Sequence, residues 1–297
     1  MNMELYRTFY FVAKCGSISK ASEQLYITQP AVSRAIRQLE DALDCPLFVR
    51  TSKGVKLTQE GEILSGYVEQ AFSFISLGER KVSDVRNLLS GEIRIGASDT
   101  ICKHYLTPFL KLFNTLHPQI RIHVICPTTP VIISLLKAGK IDIGIINLPY
   151  EDESLESKSI LDIQDCFVGG QKYRHLSNKL LPLKEITGNP MLLLERGSNS
   201  RQYLDRYFKA HAVTVVPDFE LGNMDLLVNF AKYDFGIACV IQNFVEEELE
   251  SGKLFEIRPI EKLPARSLGV VWLKDSLLSK ASEELISYFD SSTTAEF

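Results

Sequence analysis

Two groups of side chains in this 297-residue chain have types and spacings suited to chemistry. The first lies in Gly16–Glu40, GSISKASEQLYITQPAVSRAIRQLE. Val32, Ile36 and Leu39 repeat at four and three, which marks the buried stripe of a helix. The opposite face carries Gln29, Pro30, Ser33, Arg34 and Arg37, short polar groups near the N-terminus with guanidinium groups beside them. Such a face is slim enough for a major groove and offers donors to base edges and phosphates. An ordinary amphipathic helix with a solvated basic face has the same pattern. The second group is rich in hydroxyls and amides: Ser98-Asp99-Thr100, Thr128-Thr129, Asn147, Gly197-Ser198-Asn199-Ser200 and Asn223. These follow apolar runs that read as strands, where helix N-termini could hold a small ligand. Each alone serves equally as a helix cap. Their recurrence at equivalent places is the argument for a site.

Two short helices and a turn must position the first group. Ala21 and Leu25 share one face of the leading helix, and Ser19 can cap its start. Tyr26 and Ile27 fill the turn. Thr28 suits the cap of the second helix and Pro30 its first turn, where a missing N–H is harmless. Ahead of them, MNMELYRTFYFVAKCG reads as a helix with Leu5, Phe9 and Val12 inward. Charges at Glu4, Arg7 and Lys14 argue against a secretory signal. Behind them, Cys45–Gly61 reads as strand, turn at Lys53-Gly54 and strand, a basic wing that would set Arg50, Lys53 and Lys56 beside the same duplex.

These residues resemble the DNA-binding segment of the LysR-type transcriptional regulators. The matching stretches are Gly16-Ser17-Ile18-Ser19-Lys20-Ala21-Ser22, Thr28-Gln29-Pro30-Ala31-Val32-Ser33, Leu39-Glu40, Leu47-Phe48-Val49-Arg50 and Leu57-Thr58-Gln59-Glu60-Gly61. Ser22 replaces the family's usual second alanine, and Thr28 stands where serine is common. The resemblance runs without a gap through the first sixty residues. It implies a winged helix-turn-helix over 1–60 that binds double-stranded DNA through Ser19, Lys20, Thr28, Gln29, Pro30, Ser33, Arg34, Arg37, Arg50 and Lys53.

Over 61–89, Leu64, Val68, Ala71, Ile75, Gly78, Val82, Val85 and Leu89 alternate at four and three. A seam of that length predicts a helix paired with a second chain, the alternative being a long helix packed on its own domain. Gly78 is its weak point. The resemblance implies the same: a linker helix that makes homodimers, which pair into homotetramers. It leaves RNA polymerase open as a further partner.

From Ser90-Gly91 strands and helices alternate. GEIRIGAS, 119–126 and 141–146 read as strands, with helices over 99–116 and 130–138 between them. The order returns with 191–194, a helix over 200–210, an extended 213–221, a helix over 224–232 and a strand over 235–240. Both units end alike, Asp142-Ile143-Gly144-Ile145 and Asp234-Phe235-Gly236-Ile237. A glycine there suits close approach of another segment. Two such units imply a cleft between subdomains. Subdomain I covers 90–162 and 267–297, the latter with a closing helix from Leu277 to Phe289. Subdomain II covers 163–266. This half resembles the periplasmic-binding-protein-like effector domain of the same regulators, whose pocket would take the hydroxyl and amide residues above. Arg201 either contacts an anionic ligand or supports its helix. The fold class is thus α/β overall: winged helix-turn-helix, linker helix and two-subdomain effector domain.

The net charge of −4 hides an asymmetry, with eight Lys/Arg against six Asp/Glu in residues 1–60 and 25 against 31 beyond. A basic excess so small needs two copies of the domain on one DNA site. Six scattered cysteines, without Cys-x-x-Cys spacing or clustered histidines, argue against a disulfide frame or a metal site. No run approaches the roughly 20 apolar residues of a membrane span, and the expected location is cytoplasmic. No Gly-x-Ser-x-Gly, P-loop or His-Glu-x-x-His pattern is present, so catalysis is not expected. The expected function is a DNA-binding regulator whose effector is a small, anionic metabolite, with no cofactor. Two alternatives are a solute-binding protein and a redox-responsive regulator acting through Cys102, whose setting beside Lys103 near a helix start can lower a thiol pKa.

Overall fold

Met3–Cys15, Ile18–Leu25 and Gln29–Leu43 form helices α1, α2 and α3 in a computed structural model that describes residues 2–51, 54–86, 91–274, 276 and 278–291. The spacing in the sequence becomes packing here: Phe9, Val12, Ala21, Val32, Ile36 and Leu39 close one core, with Leu5 and Leu25 at its edge. Ser17, rather than Ser19, caps α2, its Oγ accepting from the Lys20 N–H at 3.4 Å. Thr28 occupies the cap position of α3 in extended backbone but makes no side-chain cap bond.

Strands β1 (Phe48–Thr51) and β2 (Gly54–Leu57) pair antiparallel as the wing. Lys53 lies outside the described residues. Two contacts fix the wing's root. The Glu40 carboxylate accepts from the Leu47 and Phe48 N–H groups at 2.7 and 3.2 Å, and Val55 N–H donates to the Gly16 carbonyl at 3.0 Å. Gly54 has φ +137, and a Cβ there would stand 2.3 Å from the Gly16 oxygen. Only glycine fits.

Helix α4 runs unbroken over Gln59–Arg86. The expected seam is corrected at its start. Leu64 and Val68 pack into the helix-turn-helix core, because the helix lies on its own domain there. Among the described residues of α4, the large apolar side chains left in solvent are Ile63, Tyr67, Phe74, Ile75 and Val82, and Ala71 of the seam is exposed too. The Val85 side chain and Leu89 are outside the described residues. The chain divides into two compact units between Val82 and Ser83, within this helix.

The second unit begins with β3 (Glu92–Ala97), α5 (Asp99–Ile101), a π-helical segment Cys102–Leu106 and α6 (Thr107–Leu116). The single helix expected over 99–116 is thus interrupted. Then come β4 (Arg121–Ile125), α7 (Thr129–Lys137), β5 (Ile143–Leu148) and β6 (Leu155–Ile163). After Gln164 follow β7 (Asp165–Gly169), β8 (Leu180–Leu181), α8 (Leu183–Ile186), β9 (Met191–Leu194), α9 (Asn199–Ala210), β10 (Phe219–Leu221), α10 (Met224–Lys232), β11 (Ile237–Ile241), α11 (Glu246–Glu250) and β12 (Phe255–Pro259). Last are β13 (Arg266–Leu273) and α12 (Lys280–Ser291). The extended run expected over 213–221 pairs only at Phe219–Leu221. The closing helix starts at Lys280, and Leu277 is outside the described residues.

The strand orders are β4-β3-β5-β13-β6 and β10-β9-β11-β7-β12-β8. In each sheet three parallel strands sit in the order second, first, third, beside an antiparallel strand, β13 or β7. This is the duplication the sequence pattern predicts. Each added strand comes from the far side of a crossing, so the chain passes between the lobes twice. One core runs under both lobes and unites Ile93, Ile95, Ile143 and Ile145 with Val168, Leu192, Met224, Leu227, Ala238 and Val240. The two repeated glycines both allow close approach, by different neighbours. A Cβ at Gly144 would come within 2.6 Å of the Ile132 side chain, and one at Gly236 within 2.5 Å of the Pro190 carbonyl.

Candidate nucleic-acid interface and effector cleft

Burial of Val32, Ile36 and Leu39 turns the other face of α3 outward. Thr28, Gln29, Pro30, Arg34 and Arg37 are exposed there, with Ser33 half-buried at the margin. Ser19 and Lys20, at the start of α2, and Arg50, on the wing, are exposed too. Tyr26 stands in the turn, as expected with Ile27: it ends α2 in the left-handed conformation, φ 56, with 94% of its surface in solvent. That exposure, which the sequence does not signal, leaves its ring free beside the outward face of α3.

The hydroxyl and amide group comes together in the second unit. Ser98, Asp99 and Thr100, Thr128 and Thr129, Asn147, Ser198, Asn199 and Ser200, and Asn223 all line one cavity between the lobes, of about 220 Å³. Their convergence follows from topology, since the carboxyl ends of β3, β9 and β5 open on the same gap and α7, α9 and α10 start there. Ser98, Thr128, Ser198 and Asn223 hold the four cap positions. Three of them do cap: Ser98 Oγ accepts from Ile101 N–H, Ser198 Oγ from Arg201 N–H and Asn223 Oδ1 from Leu226 N–H, at 3.4, 3.4 and 3.0 Å. Thr128 makes no side-chain cap bond. Asn147 bridges the lobes, its Nδ2 donating to Ser200 Oγ at 3.3 Å while Asn199 Nδ2 donates to its carbonyl at 3.0 Å. Asn147 Oδ1 is buried without a partner.

Arg201 is placed elsewhere. Its guanidinium, 4% exposed, donates to Asp205 at 2.9 Å, to the Leu194 carbonyl at 2.6 Å and to Glu220 at 2.9 Å. Of the two readings of this residue, the contacts match support of the helix, and Arg201 is not among the cavity's walls. Among the described residues, Asp99 is the one charged side chain on those walls, and its carboxylate accepts from Thr100 N–H at 2.8 Å. A bound anion would therefore meet neutral donors and helix termini, not a cation.

Two interlobe contacts escaped the sequence. Lys103 Nζ and His104 Nε2 reach Asp225 at 2.8 and 3.2 Å, and the His104 ring stacks on Phe244 at 5.0 Å. Burial works to raise the Asp225 pKa, but these two partners outweigh it and the carboxyl sits below its ordinary value. At the hinge, Arg266 at the head of β13 pairs with Asp165 at the head of β7, Nε–Oδ2 2.5 Å and Nη2–Oδ1 2.7 Å, both side chains almost wholly buried. Its Nη2 also donates to Ser200 Oγ at 3.2 Å, and its guanidinium covers the Tyr203 ring at 4.5 Å.

Among the described residues no cluster of three or more His, Cys, Asp or Glu is set to hold a metal ion. No helix among them is long and apolar enough to cross a membrane.

Comparison with known proteins agrees with this geometry. Residues 3–62 match the model of the bacterial regulatory helix-turn-helix protein, lysR family, and residues 86–293 match the LysR substrate binding domain. The chain is 27% identical over 287 residues to the uncharacterized HTH-type transcriptional regulator YeiE of Escherichia coli (strain K12), covering 95% of this chain and 94% of that one. Full-length CbnR complexed with its target DNA superposes with a TM-score of 0.68 at 16% identity, over 99% of this chain and 100% of that chain. The Synechocystis PCC6803 CcmR regulatory domain in complex with 2-PG superposes with a TM-score of 0.64 at 20% identity, over 69% and 98%.

Proposed function

Given that this chain belongs to the LysR family of bacterial transcriptional regulators, which bind DNA and are not enzymes, we propose that a small anionic metabolite held between the two effector lobes governs its action on DNA. One observation carries the reading: four helix-cap positions, at Ser98, Thr128, Ser198 and Asn223, face one cavity. The N-termini of α7, α9 and α10 bring free N–H groups and the positive ends of their dipoles to it. Thr100, Thr129 and Ser198 add hydroxyls. The orphaned Asn147 Oδ1 calls for a donor, which a hydroxyl or amine on the same metabolite would supply. The CcmR domain's complex with 2-PG supports a small molecule in this kind of domain.

A ligand that binds the native state raises its melting temperature. Titration with small carboxylates, sulfates and phosphate esters, followed by thermal shift, should identify the class. Thr100→Val and Ser198→Ala should each weaken the ligand so found, each by about 1 kcal/mol for a neutral hydrogen bond. If both variants bind it as tightly as wild type, the pocket lies elsewhere.

The DNA side follows from the exposed face of α3. Arg34 stands in its N-terminal half, where a recognition helix meets bases, and Arg50 is exposed on the wing, where a phosphate contact is expected. Arg34→Ala should cost about 1–3 kcal/mol and relax sequence preference, whereas Arg50→Ala should weaken all duplexes alike. Binding to specific and scrambled duplexes separates them. A uniform loss from Arg34→Ala would make it a phosphate contact.

A further inference from the structure

Six cysteines are scattered along the sequence, yet two of them meet. Cys102 opens the π-helical segment behind Ser98-Asp99-Thr100, and Cys126 directly follows β4. Strands β3 and β4 run parallel with Gly96 beside Ile125, and this register delivers both cysteines to the same end of the sheet. Their Sγ atoms stand 3.5 Å apart. Both are free thiols. Cys126 is exposed and forms part of the cavity wall, and Cys102 is half-buried behind it. The helix is distorted at this point, with the Thr107 hydroxyl bonded to the Cys102 carbonyl at 2.6 Å. Such π-segments are frequent at functional sites.

The geometry points to a redox site in which a hydroperoxide converts Cys102 and Cys126 into a disulfide that stiffens one wall of the cleft. The exposed sulfur of Cys126 meets the oxidant. As thiolate it takes the distal oxygen of the hydroperoxide, the O–O bond breaks, and a sulfenic acid forms with release of an alcohol, or of water from hydrogen peroxide. The Cys102 sulfur then attacks the sulfenic sulfur. The S–S bond forms, the S–O bond breaks, and the hydroxide leaves as water with the Cys102 proton. Two thiols lose two electrons in all, and the peroxide gains them.

The two roles are not interchangeable. Burial, followed by the contact with Cys126 and the charge of Asp99, pushes the Cys102 pKa up to about 12. It is a poor first nucleophile and a well-placed second one, needing only to close from contact distance to a bond of about 2.0 Å. The bond would tie the end of β4 to the start of the π-segment, so the turns at Ser98–Thr100 and Thr128–Thr129 would move as one. That this matters to a ligand rests on the cleft reading above; formation of the bond does not.

The test begins with the reduced full-length protein, treated with stoichiometric hydrogen peroxide, alkylated and mapped by mass spectrometry. The expected result is loss of two of its six thiols, a mass lower by two hydrogens and a peptide linking Cys102 to Cys126, all reversed by a dithiol. Accumulation of sulfinic acid at Cys126, or a link to another cysteine, would overturn the site. Hydrogen–deuterium exchange then reads the wall without any ligand: amides at 98–101 and 128–129 should be more protected in the oxidised protein. Equal protection in both states, or the same change in Cys102→Ser, would overturn the stiffening while leaving the anion-binding reading to its own test.

Discussion

Ile75→Glu is expected to sediment as a monomer at concentrations where the wild type, if α4 pairs as its seam predicts, sediments as a dimer. Ile75 is 44% exposed, on a helix whose other solvent-facing apolar groups are Ile63, Tyr67, Phe74 and Val82, at 59, 71, 45 and 65%. A second copy of the same helix is the expected occupant, because the small basic excess of residues 1–60 gives one domain little charge with which to hold DNA alone. A carboxylate placed in that face must be buried unpaired on dimerisation, at a cost of several kcal/mol. Linking two DNA-binding domains multiplies affinity by 10²–10⁴ at an order of magnitude, and this gain should vanish with the dimer. Sedimentation read beside binding to a duplex with two half-sites makes the comparison. A variant that stays dimeric and keeps its affinity would move the main interface off α4.

The largest effect on stability is expected at the hinge. Asp165→Ala leaves the Arg266 guanidinium buried without its carboxylate, and breaking a buried pair from one side costs about 3–5 kcal/mol. For a unit of this size that corresponds to a fall in Tm on the order of 10 °C. Asp165→Leu combined with Arg266→Met should recover much of the loss, since the charge is then gone from both sides. The cost is not the Coulomb attraction itself but the desolvation of the survivor. A single-mutant loss below about 1 kcal/mol would mean that water reaches Arg266 once Asp165 is removed.

What could be foreseen from sequence was whatever depends on near neighbours. Val32, Ile36 and Leu39 encode their own burial at helical spacing, and the cavity residues stand at strand ends that the duplicated pattern marks. Features decided by distant partners were invisible. Strand β6 was missed because Leu155–Ile163 is a partly exposed edge with several polar side chains, lacking the apolar alternation of a half-buried strand. Strand β7 opens on an aspartate whose burial makes sense only with Arg266, 101 residues later. His104 reads as solitary until Asp225 arrives from 121 residues away. The seam of α4 was misjudged at Leu64 and Val68 for the opposite reason: periodicity locates an apolar face, but not which of two partners covers it. Arg201 shows the same limit, with Asp205 one turn on and Glu220 on a neighbouring strand taking the charge that sequence left free for a ligand.

The core that continues beneath both effector lobes also bears on how such a domain can respond. Parting the lobes like jaws would break the continuity of that cluster and uncover the apolar side chains that meet between them. At about 1.5–3 kcal/mol for each large apolar side chain, exposing four would cost about 6–12 kcal/mol, comparable with the whole stability of a domain. The lobes are therefore expected to melt as a single calorimetric transition. A metabolite bound in the proposed cleft would work against a stiff spring rather than a loose hinge, and the expected response is a small tilt of one sheet against the other.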